Sequence, residues 1–336
     1  MAKDCDIIIP VWNQPHFTRD CVDSIREGTS TAYRIIMIDN ASDAPTKKYL
    51  EGMKAVDVVI IRNERNLGFV KAVNQGIQAS DARYICILNN DTLVTKGWLE
   101  EMISIAQSRD DIGIVNPSSN NLGQRPEKGE TIAHYAERIR PQTGRSVELG
   151  AAIGFCMLIK RGVIERIGIF DEIYGMGNFE DTDFSRRASK EGFRSVRACG
   201  AYVYHRENTS FRTRETFDEE FRRNRDIYEF RWGRPMRIAY LLDACDEYAL
   251  KKIWADSLKA ARDGNWVFIY SKGRRSVPAH SNIIYRELPG KLFRLHALWY
   301  VVTKKKKFGT VIVRDEGFGR LLSLFGFMHH ARISYY

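Results

Sequence analysis

Along the first third of the chain, short apolar runs alternate with longer amphipathic segments. The apolar runs predict strands at 6–9, 33–38, 56–61, 84–88 and 112–117, and the intervening segments predict helices at 15–26, 46–54, 66–79 and 96–108. Strands that alternate with helices are typical of parallel pairing, with helices on both faces of the sheet. The pattern therefore predicts an α/β fold with a doubly wound, mostly parallel sheet.

Polar side chains follow three of these predicted strands, at the point where each strand ends. Trp12 and Asn13 follow the first, Asp39 and Asn40 the second, and residues 89–91 (Asn-Asn-Asp) the fourth. The carboxyl ends of parallel strands lie along one edge of a sheet, where ligands commonly bind. The three clusters together predict a ligand site at that edge.

Asp91 supplies the only carboxylate of the third cluster. Carboxylate oxygens are preferred ligands of divalent cations, which makes this position a candidate metal ligand. Asn and Asp are also favoured turn residues, so a simple surface turn is the alternative.

Beyond residue 117 the pattern becomes less regular. A polar stretch at 118–147 predicts a long loop, and loops of that length inside a domain are commonly functional or flexible. Strands are predicted at 150–160 and 196–205, and a helix is predicted at 219–232.

Two further features carry candidate chemistry. Glu180, Asp181 and Asp183 enter a predicted helix after a glycine-rich loop, and His205 ends the strand predicted at 196–205. Acidic residues in a first helical turn complement the helix dipole, which is the structural alternative to catalysis. Histidine is a common metal ligand, although a single His at a strand end is more often structural.

The net charge of +10 is confined to the last third of the chain. Residues 1–235 contain 34 Lys+Arg and 34 Asp+Glu, whereas residues 236–336 contain 18 Lys+Arg and 8 Asp+Glu. This shift predicts a neutral domain at 1–235 and a basic α/β domain at 236–336.

Several classes of protein are disfavoured. No apolar run approaches the roughly 18 residues needed to span a bilayer. The first strand begins at once, which leaves no room for a signal peptide. The six cysteines are scattered without a Cys-x-x-Cys pair. That spacing disfavours a zinc site and a disulfide framework and predicts a reducing, cytoplasmic location.

The first 235 residues resemble the nucleotide-sugar-binding half of the inverting family-two glycosyltransferases, which adopt the GT-A fold. Pro10, Trp12 and Asn13 are similar to the end of the family's opening strand, where an aromatic and a polar residue frame the nucleobase. Trp12 stands where Tyr is more usual. By the same resemblance, Asp39 is the carboxylate that reads the base edge.

A second part of the resemblance concerns the donor diphosphate. Residues 63–69, which contain Asn66 and Gly68, are similar to the family's Asn-x-Gly-Phe helix start. The resemblance implies that both residues help to bind the donor, and a helix N-terminus favours a diphosphate. Lys71, one turn into the helix, is expected to add a cation.

The third part concerns metal and catalysis. The Asn-Asn-Asp cluster falls on the family's Asp-x-Asp metal motif, although only its last position is acidic. The resemblance implies that Asp91 and His205 bind Mn²⁺ or Mg²⁺, while Asn89 and Asn90 contact the ribose or a phosphate. Fewer anionic ligands imply a weaker cation site that relies on the phosphates of the donor.

The resemblance implies that the polar stretch at 118–147 faces the acceptor, and it also assigns the residues that act on the acceptor. Asp181 is implied as the general base on the acceptor hydroxyl, and Glu180 as the residue that orients the acceptor.

The basic domain begins a new α/β pattern that resembles half of a Rossmann unit. Its predicted strands lie at 237–243, 266–270, 282–285 and 310–313, and its predicted helices at 247–262, 292–302 and 318–327. Residues 304–307 are four lysines close to Trp299 and Tyr300. They predict a surface for an anionic partner: membrane headgroups, a lipid-linked diphosphate or nucleic acid. A solvated turn is the alternative.

These expectations combine into one function. We expect a metal-dependent inverting glycosyltransferase that moves a sugar from a uridine or deoxythymidine diphosphate sugar to a hydroxyl of a glycan or lipid-linked acceptor. It would serve surface polysaccharide or glycoconjugate synthesis, in the cytoplasm or peripherally on the inner face of the membrane. The form of the metal motif resembles that of rhamnosyl and related transferases.

Three alternatives remain at this level. A sugar-phosphate nucleotidyltransferase would need a glycine-rich phosphate loop after the first strand, and residues 10–13 contain none. A transferase acting on nucleic-acid bases and a non-catalytic basic binding protein on the same fold both stay open.

Overall fold

The computed structural model describes residues 4–53, 57–206, 217–243 and 245–336. It divides into two compact units. The first contains Met1–Val147 and Ala151–Trp232, and the second contains Glu148–Gly150 and Gly233–Tyr336. Within the described residues, no helix is long and apolar enough to cross a membrane.

The first unit is built on one mixed, mostly parallel sheet. Its strands are β1 (Cys5–Val11), β2 (Tyr33–Asp39), β3 (Val58–Arg62), β4 (Tyr84–Leu88), β5 (Thr92–Val94), β6 (Ile112–Ser118), β7 (Ser146–Glu148), β8 (Cys156–Lys160) and β9 (Arg194–His205). The order across the sheet is β3-β2-β1-β4-β8-β6-β9-β5, with β7 beside β9. Strands β1 to β4 pair in parallel, whereas β8 is antiparallel to both its neighbours.

Helices cover both faces of this sheet. They are α1 (Pro15–Gly28), α2 (Ala44–Glu51), α3 (Phe69–Gln78), α4 (Trp98–Gln107), α5 (Ile132–Ile139), α6 (Arg161–Ile167), α7 (Glu180–Lys190) and α8 (Phe217–Trp232). Alternate strand residues face opposite cores: Ile7 and Ile9 pack with the α1 side, and Ile8 packs with the α3 side. This period of two, with apolar residues at every position, explains the continuous apolar run of β1.

The second unit is a separate sheet of five parallel strands. These are β10 (Arg237–Leu242), β11 (Trp266–Lys272), β12 (Ile283–Leu288), β13 (Thr310–Val313) and β14 (Arg332–Tyr335), in the order β12-β11-β10-β13-β14. Its helices are α9 (Glu247–Arg262), α10 (Phe293–Thr303), α11 (Glu316–Leu324) and the short α12 (Gly326–His329). The strand order is that of a doubly wound sheet. Strands β11 and β12 are added on one side of β10, and β13 and β14 are then added on its other side.

The α/β prediction, with a doubly wound, mostly parallel sheet and a second small α/β sheet, is confirmed by these two sheets. The prediction of a long loop at 118–147 is wrong. That stretch contains α5 and the short strand β7. Tyr135, Ala136 and Ile139 of α5 are buried against Tyr202 of β9, and these few apolar positions are too sparse to stand out in a polar sequence.

The other differences concern boundaries and short elements. The strand predicted at 150–160 begins only at Cys156, and the predictions do not include β5, α6 and β14. The predicted end of a helix at Lys54 and the predicted start of a strand at Val56 lie outside the described residues.

Candidate active site

The first unit contains a cavity of about 570 Å³ at the carboxyl ends of β1 and β4 and at the start of α7. Many of the residues that the sequence predicted as site residues line it: Pro10, Trp12, Asn66, Asn89, Asn90, Asp91, Glu180, Asp181 and His205. Chain segments far apart in sequence therefore converge on one space, as expected for the edge of a parallel sheet.

Four predicted donor-binding residues are not part of the cavity wall: Asn13, Asp39, Gly68 and Lys71. Asn13 accepts a hydrogen bond from the backbone N–H of Asp43 at 2.8 Å. Lys71 lies 3.7 Å from the carboxylate of Glu172 on an exposed surface.

The other two have structural partners. Asp39 is buried, and its carboxylate accepts hydrogen bonds from the Arg62 guanidinium and from the backbone N–H of Ser42. Gly68 has a positive φ of 86°, and a Cβ there would lie 2.9 Å from the carbonyl oxygen of Gly175. Only glycine fits this position without strain.

Asp91 and His205 lie next to each other in the cavity wall. Strand β5 pairs with the end of β9, which sets Thr92 opposite His205. This pairing brings the side chain of Asp91, the residue before Thr92, next to that of His205. Asp91 Oδ1 lies 3.0 Å from His205 Nε2, and each side chain is 13% exposed. The amide of Asn89 lies 3.4 Å from the same nitrogen.

The His205 ring is held from its other sides as well. Phe155 stacks on it with ring centroids 5.3 Å apart. The Asn121 amide nitrogen lies 2.7 Å from Nδ1, and the side chain of Asn120 bonds both the N–H and the C=O of His205. The ring orientation is therefore fixed before any ligand binds.

This arrangement fits one divalent cation with few protein ligands. A six-coordinate cation with ligands at about 2.1 Å places neighbouring ligands about 3.0 Å apart. The separation of Asp91 Oδ1 and His205 Nε2 has this value. Among the described residues, no three His, Cys, Asp or Glu side chains cluster closely enough to hold a metal ion. A cation here would take its remaining ligands from water or a substrate.

Glu180 and Asp181 begin α7 and also line the cavity. Asp181 accepts hydrogen bonds from the backbone N–H groups of Gly154 at 2.9 Å and Thr182 at 2.6 Å. Glu180 is only 5% exposed, and its Oε2 has no hydrogen-bond partner in the described part of the chain.

The two carboxyl groups differ in their ease of ionisation. Burial raises the pKa of Glu180 well above its usual value, and the charge of Asp181 raises it further. Burial also raises the pKa of Asp181, but the N–H groups of Gly154 and Thr182 stabilise its ionised form. Asp181 therefore ionises first as the pH rises, and Glu180 keeps its proton to a higher pH.

The loop before α7 has an unusual backbone. Asn178 and Phe179 have φ values of 74° and 72°, a region that bulky residues rarely adopt. The buried side chain of Asn224 in α8 holds this loop by donating hydrogen bonds to the carbonyls of Tyr174 and Gly177, each at 2.8 Å. Strain of this kind persists only where the surrounding structure imposes it.

Asp183, in the first turn of α7, links this helix to α8. Its fully buried carboxylate accepts from Arg187 at 2.9 Å, and from Arg231 and Trp232 at 2.8 Å each. Helices α7 and α8 are thereby joined beneath Glu180 and Asp181.

Comparison with known proteins now bears on this geometry. Residues 6–168 match the profile of the family described as Glycosyl transferase family 2. This part of the chain belongs to glycosyltransferase family 2. The match covers β1 to β8, and so includes the carboxyl ends of β1 and β4 at the cavity.

Curated relatives are about a quarter identical to this chain over the residues that align with them. They include an uncharacterized protein of Sinorhizobium fredii, 26% identical over 67% of this chain and 27% of that protein. The uncharacterized glycosyltransferase YwdF of Bacillus subtilis is 25% identical over 59% of this chain and 72% of its own length. An N-acetylglucosaminyl-diphospho-decaprenol L-rhamnosyltransferase of Mycobacterium tuberculosis is 26% identical over 57% and 72%.

The chain spans only 27% to 37% of the length of the first three curated relatives. Two solved structures share the GT-A fold. One is Staphylococcus aureus TarS 1–349 in complex with UDP-GlcNAc, with a TM-score of 0.50 and 13% identity over 67% of this chain and 65% of that one. The other is GalNAc-T7 with UDP, GalNAc and Mn²⁺, with a TM-score of 0.50 and 16% identity over 61% and 44%.

Sequence reasoning missed several residues of this cavity. Asn121 and Phe155 contact His205, and Met176 and Phe221 also line the wall. No motif singles them out. For Asn121 the available signal is the pair Asn120-Asn121, which follows the end of β6 after one intervening residue, in the stretch predicted as a loop.

Proposed function

We propose that the protein is a metal-dependent inverting glycosyltransferase that uses a nucleoside-diphosphate sugar. The observation that carries this proposal is the single cavity that contains both the Asp91–His205 pair and the Glu180–Asp181 pair. One pair suits a cation, and the other suits proton transfer. Family 2 membership supports the same reaction class.

Asp91 and His205 would hold Mn²⁺ or Mg²⁺ against the diphosphate of the donor. When bound, such a cation offsets the charge that develops on the leaving nucleoside diphosphate. The few protein ligands at this site support a cation that arrives with the donor rather than one held tightly beforehand.

Asp181 is the proposed general base. Its ionised carboxylate accepts the proton of the acceptor hydroxyl as that oxygen attacks the sugar, and a single displacement inverts the anomeric carbon. Glu180, which keeps its proton, can donate a hydrogen bond to the acceptor and so orient it. The unpartnered Oε2 of Glu180 supports this role, because a buried oxygen without a protein partner is expected to find one on a ligand.

The donor end of the cavity combines one aromatic surface with amides. Trp12 is 41% exposed and offers a face for a base, while Asn66, Asn89 and Asn90 offer hydrogen bonds. Asp39 stays a proposed contact for the base edge, although it would have to exchange its bond with Arg62. Asn13, Gly68 and Lys71 are proposed to shape this end rather than to form its wall.

We propose a uridine or deoxythymidine diphosphate sugar as donor and a glycan or lipid-linked acceptor, in surface polysaccharide or glycoconjugate synthesis. The rhamnosyltransferase relative, whose printed name includes a diphospho-decaprenol acceptor, supports the lipid-linked class.

The test is calorimetric titration of the whole chain with nucleoside diphosphates and their sugars, with and without Mn²⁺. We expect one uridine or deoxythymidine diphosphate to bind at least tenfold more tightly with the cation. Binding of no nucleotide under either condition would refute the proposed donor site.

A further inference from the structure

The helices of the second unit are distributed unequally over its sheet. Alternate residues of β10 face opposite sides: Ala239 and Leu241 pack with α10 and α11, whereas Tyr240 and Leu242 pack with α9. Helices α10 and α11 therefore cover one face and α9 covers the other.

Helix α10 is apolar on its outer side as well as on its inner side. Phe293, Ala297 and Val301 are buried in the core. On the outer side Leu295 is 60% exposed and Trp299 is 66% exposed. An ordinary surface helix carries polar residues at such positions.

The exposed apolar area extends onto the neighbouring helices. Short helix α12 packs against α10. Leu324, at the end of α11, is 72% exposed, and Phe327 in α12 is 74% exposed. We call the set Leu292, Leu295, Trp299, Leu324, Phe327 and Met328 the outer apolar surface; each of its members is at least 42% exposed. Single exposed apolar residues are normal, but a concentration on adjoining helices marks an interaction site.

Positive charge accompanies this surface. Residues 291–328 contain eight Lys and Arg but only two acidic residues. Lys304–Lys307 follow α10 directly, and in the described part of the chain Lys305 and Lys306 are exposed and form no ion pair. Their charge is therefore available to a partner.

We propose that the outer apolar surface, with Lys304–Lys307 beside it, binds the surface of an anionic lipid bilayer. Aromatic and aliphatic side chains next to lysines are the composition of interfacial membrane segments, in which the apolar groups enter the headgroup region and the lysines pair with lipid phosphates. Nucleic acid would account for the lysines but not for exposed Leu295, Leu324 and Phe327. The proposal concerns the second unit alone and stands whether or not the first unit transfers sugar.

The test is sedimentation of the whole chain with two kinds of vesicle. One contains phosphatidylcholine alone, and the other also contains roughly 30% phosphatidylglycerol, which gives it an anionic surface. We expect binding to the anionic vesicles, and at least tenfold weaker partitioning for the double variant Trp299→Ser/Phe327→Ser. Lys305→Gln/Lys306→Gln should weaken binding to a similar extent. Tyr248→Ser is the matched control, because Tyr248 is 81% exposed on α9, on the opposite face of the sheet.

Three results would overturn the proposal. One is the absence of vesicle binding, and another is equal binding by the wild type and the Trp299→Ser/Phe327→Ser variant. The third is self-association that the same variant abolishes in sedimentation velocity without any vesicle binding, which would assign the surface to a second copy of the chain. Circular dichroism of each variant establishes that it is folded.

Discussion

The amide nitrogen of Asn121 lies 2.7 Å from Nδ1 of His205. In this orientation the amide donates to Nδ1, so the proton of the neutral ring sits on Nε2 and faces Asp91 Oδ1. The buried Oδ1 of Asn121 has no partner in the described part of the chain. A half-turn of the carboxamide would let Oδ1 accept from Nδ1–H and leave the Nε2 lone pair for a cation.

We therefore expect Asn121→Leu to weaken metal binding. Groups that set the tautomer of a ligating histidine typically change metal affinity 10- to 100-fold. Titration of Mn²⁺ in the presence of the nucleotide, followed by electron paramagnetic resonance, measures the loss directly. Asn121→Asp is the paired variant: its carboxylate accepts from Nδ1–H, so binding should be retained. Equal losses in both variants would mean that Asn121 only maintains the local fold.

Asp91→Ala should weaken the cation-dependent part of nucleotide binding. The variant removes one of the two side chains proposed to hold the cation, whereas the aromatic and amide contacts of the donor remain. In calorimetry, affinity without Mn²⁺ should stay within about twofold of the wild type, and the gain on adding Mn²⁺ should fall at least tenfold. A variant that keeps the full Mn²⁺ effect would remove Asp91 from the metal site.

Asp181→Asn should abolish transfer and leave donor binding intact. The amide keeps the size of the side chain and can still accept from the Gly154 N–H, but it cannot take a proton. Loss of a general base costs about 10²- to 10⁴-fold in rate. Turnover and calorimetric donor affinity, measured on the same preparation, separate the two effects. An equal loss of donor affinity in Asp181→Asn and Asp91→Ala would undo this division of roles.

Glu180→Gln should stabilise the fold, increasingly so at higher pH. Because burial raises the pKa of Glu180 in the folded state, the wild type loses stability as the pH rises from the usual glutamate pKa of 4.5 towards the folded-state value. The glutamine variant has no such loss. Thermal unfolding between pH 5 and pH 8 should show a gap between the two proteins that widens with pH. A constant gap would contradict a protonated Glu180.

Asn224→Ala should lower both stability and activity. The variant leaves the carbonyls of Tyr174 and Gly177 without their donor in a buried place, which costs about 1–3 kcal/mol. The strained loop that precedes Glu180 and Asp181 should then relax and shift both carboxyl groups, so kcat should fall more than donor affinity. Denaturant unfolding and steady-state kinetics measure the two effects. Arg222→Ala, at an exposed position of the same helix, is the control and should change neither.

The alternation of apolar runs and amphipathic segments was enough to predict the α/β class and the parallel core of the first sheet. Apolar residues at successive positions, as in Ile7, Ile8 and Ile9, leave a strand no choice but burial on both faces. The polar strand ends follow from the same logic. Asp91, Glu180 and Asp181 were therefore identifiable as candidates, because their positions relative to strand and helix ends are local properties.

Long-range pairing decided the rest. Asp91 and His205 meet only because β5 pairs antiparallel with β9, a contact across more than a hundred residues that no local pattern specifies. Asn121, Phe155 and Asn224 act through hydrogen bonds or ring contacts with distant segments, so nothing in their own neighbourhood reveals them.

Asp39 illustrates the opposite case, because the sequence identified its place at a strand end but not its burial against Arg62. Likewise, the sequence of the second unit determined its excess of positive charge. Which of its apolar side chains stay exposed beside those lysines depends on which helix covers which face of the sheet, and only the tertiary structure decides that.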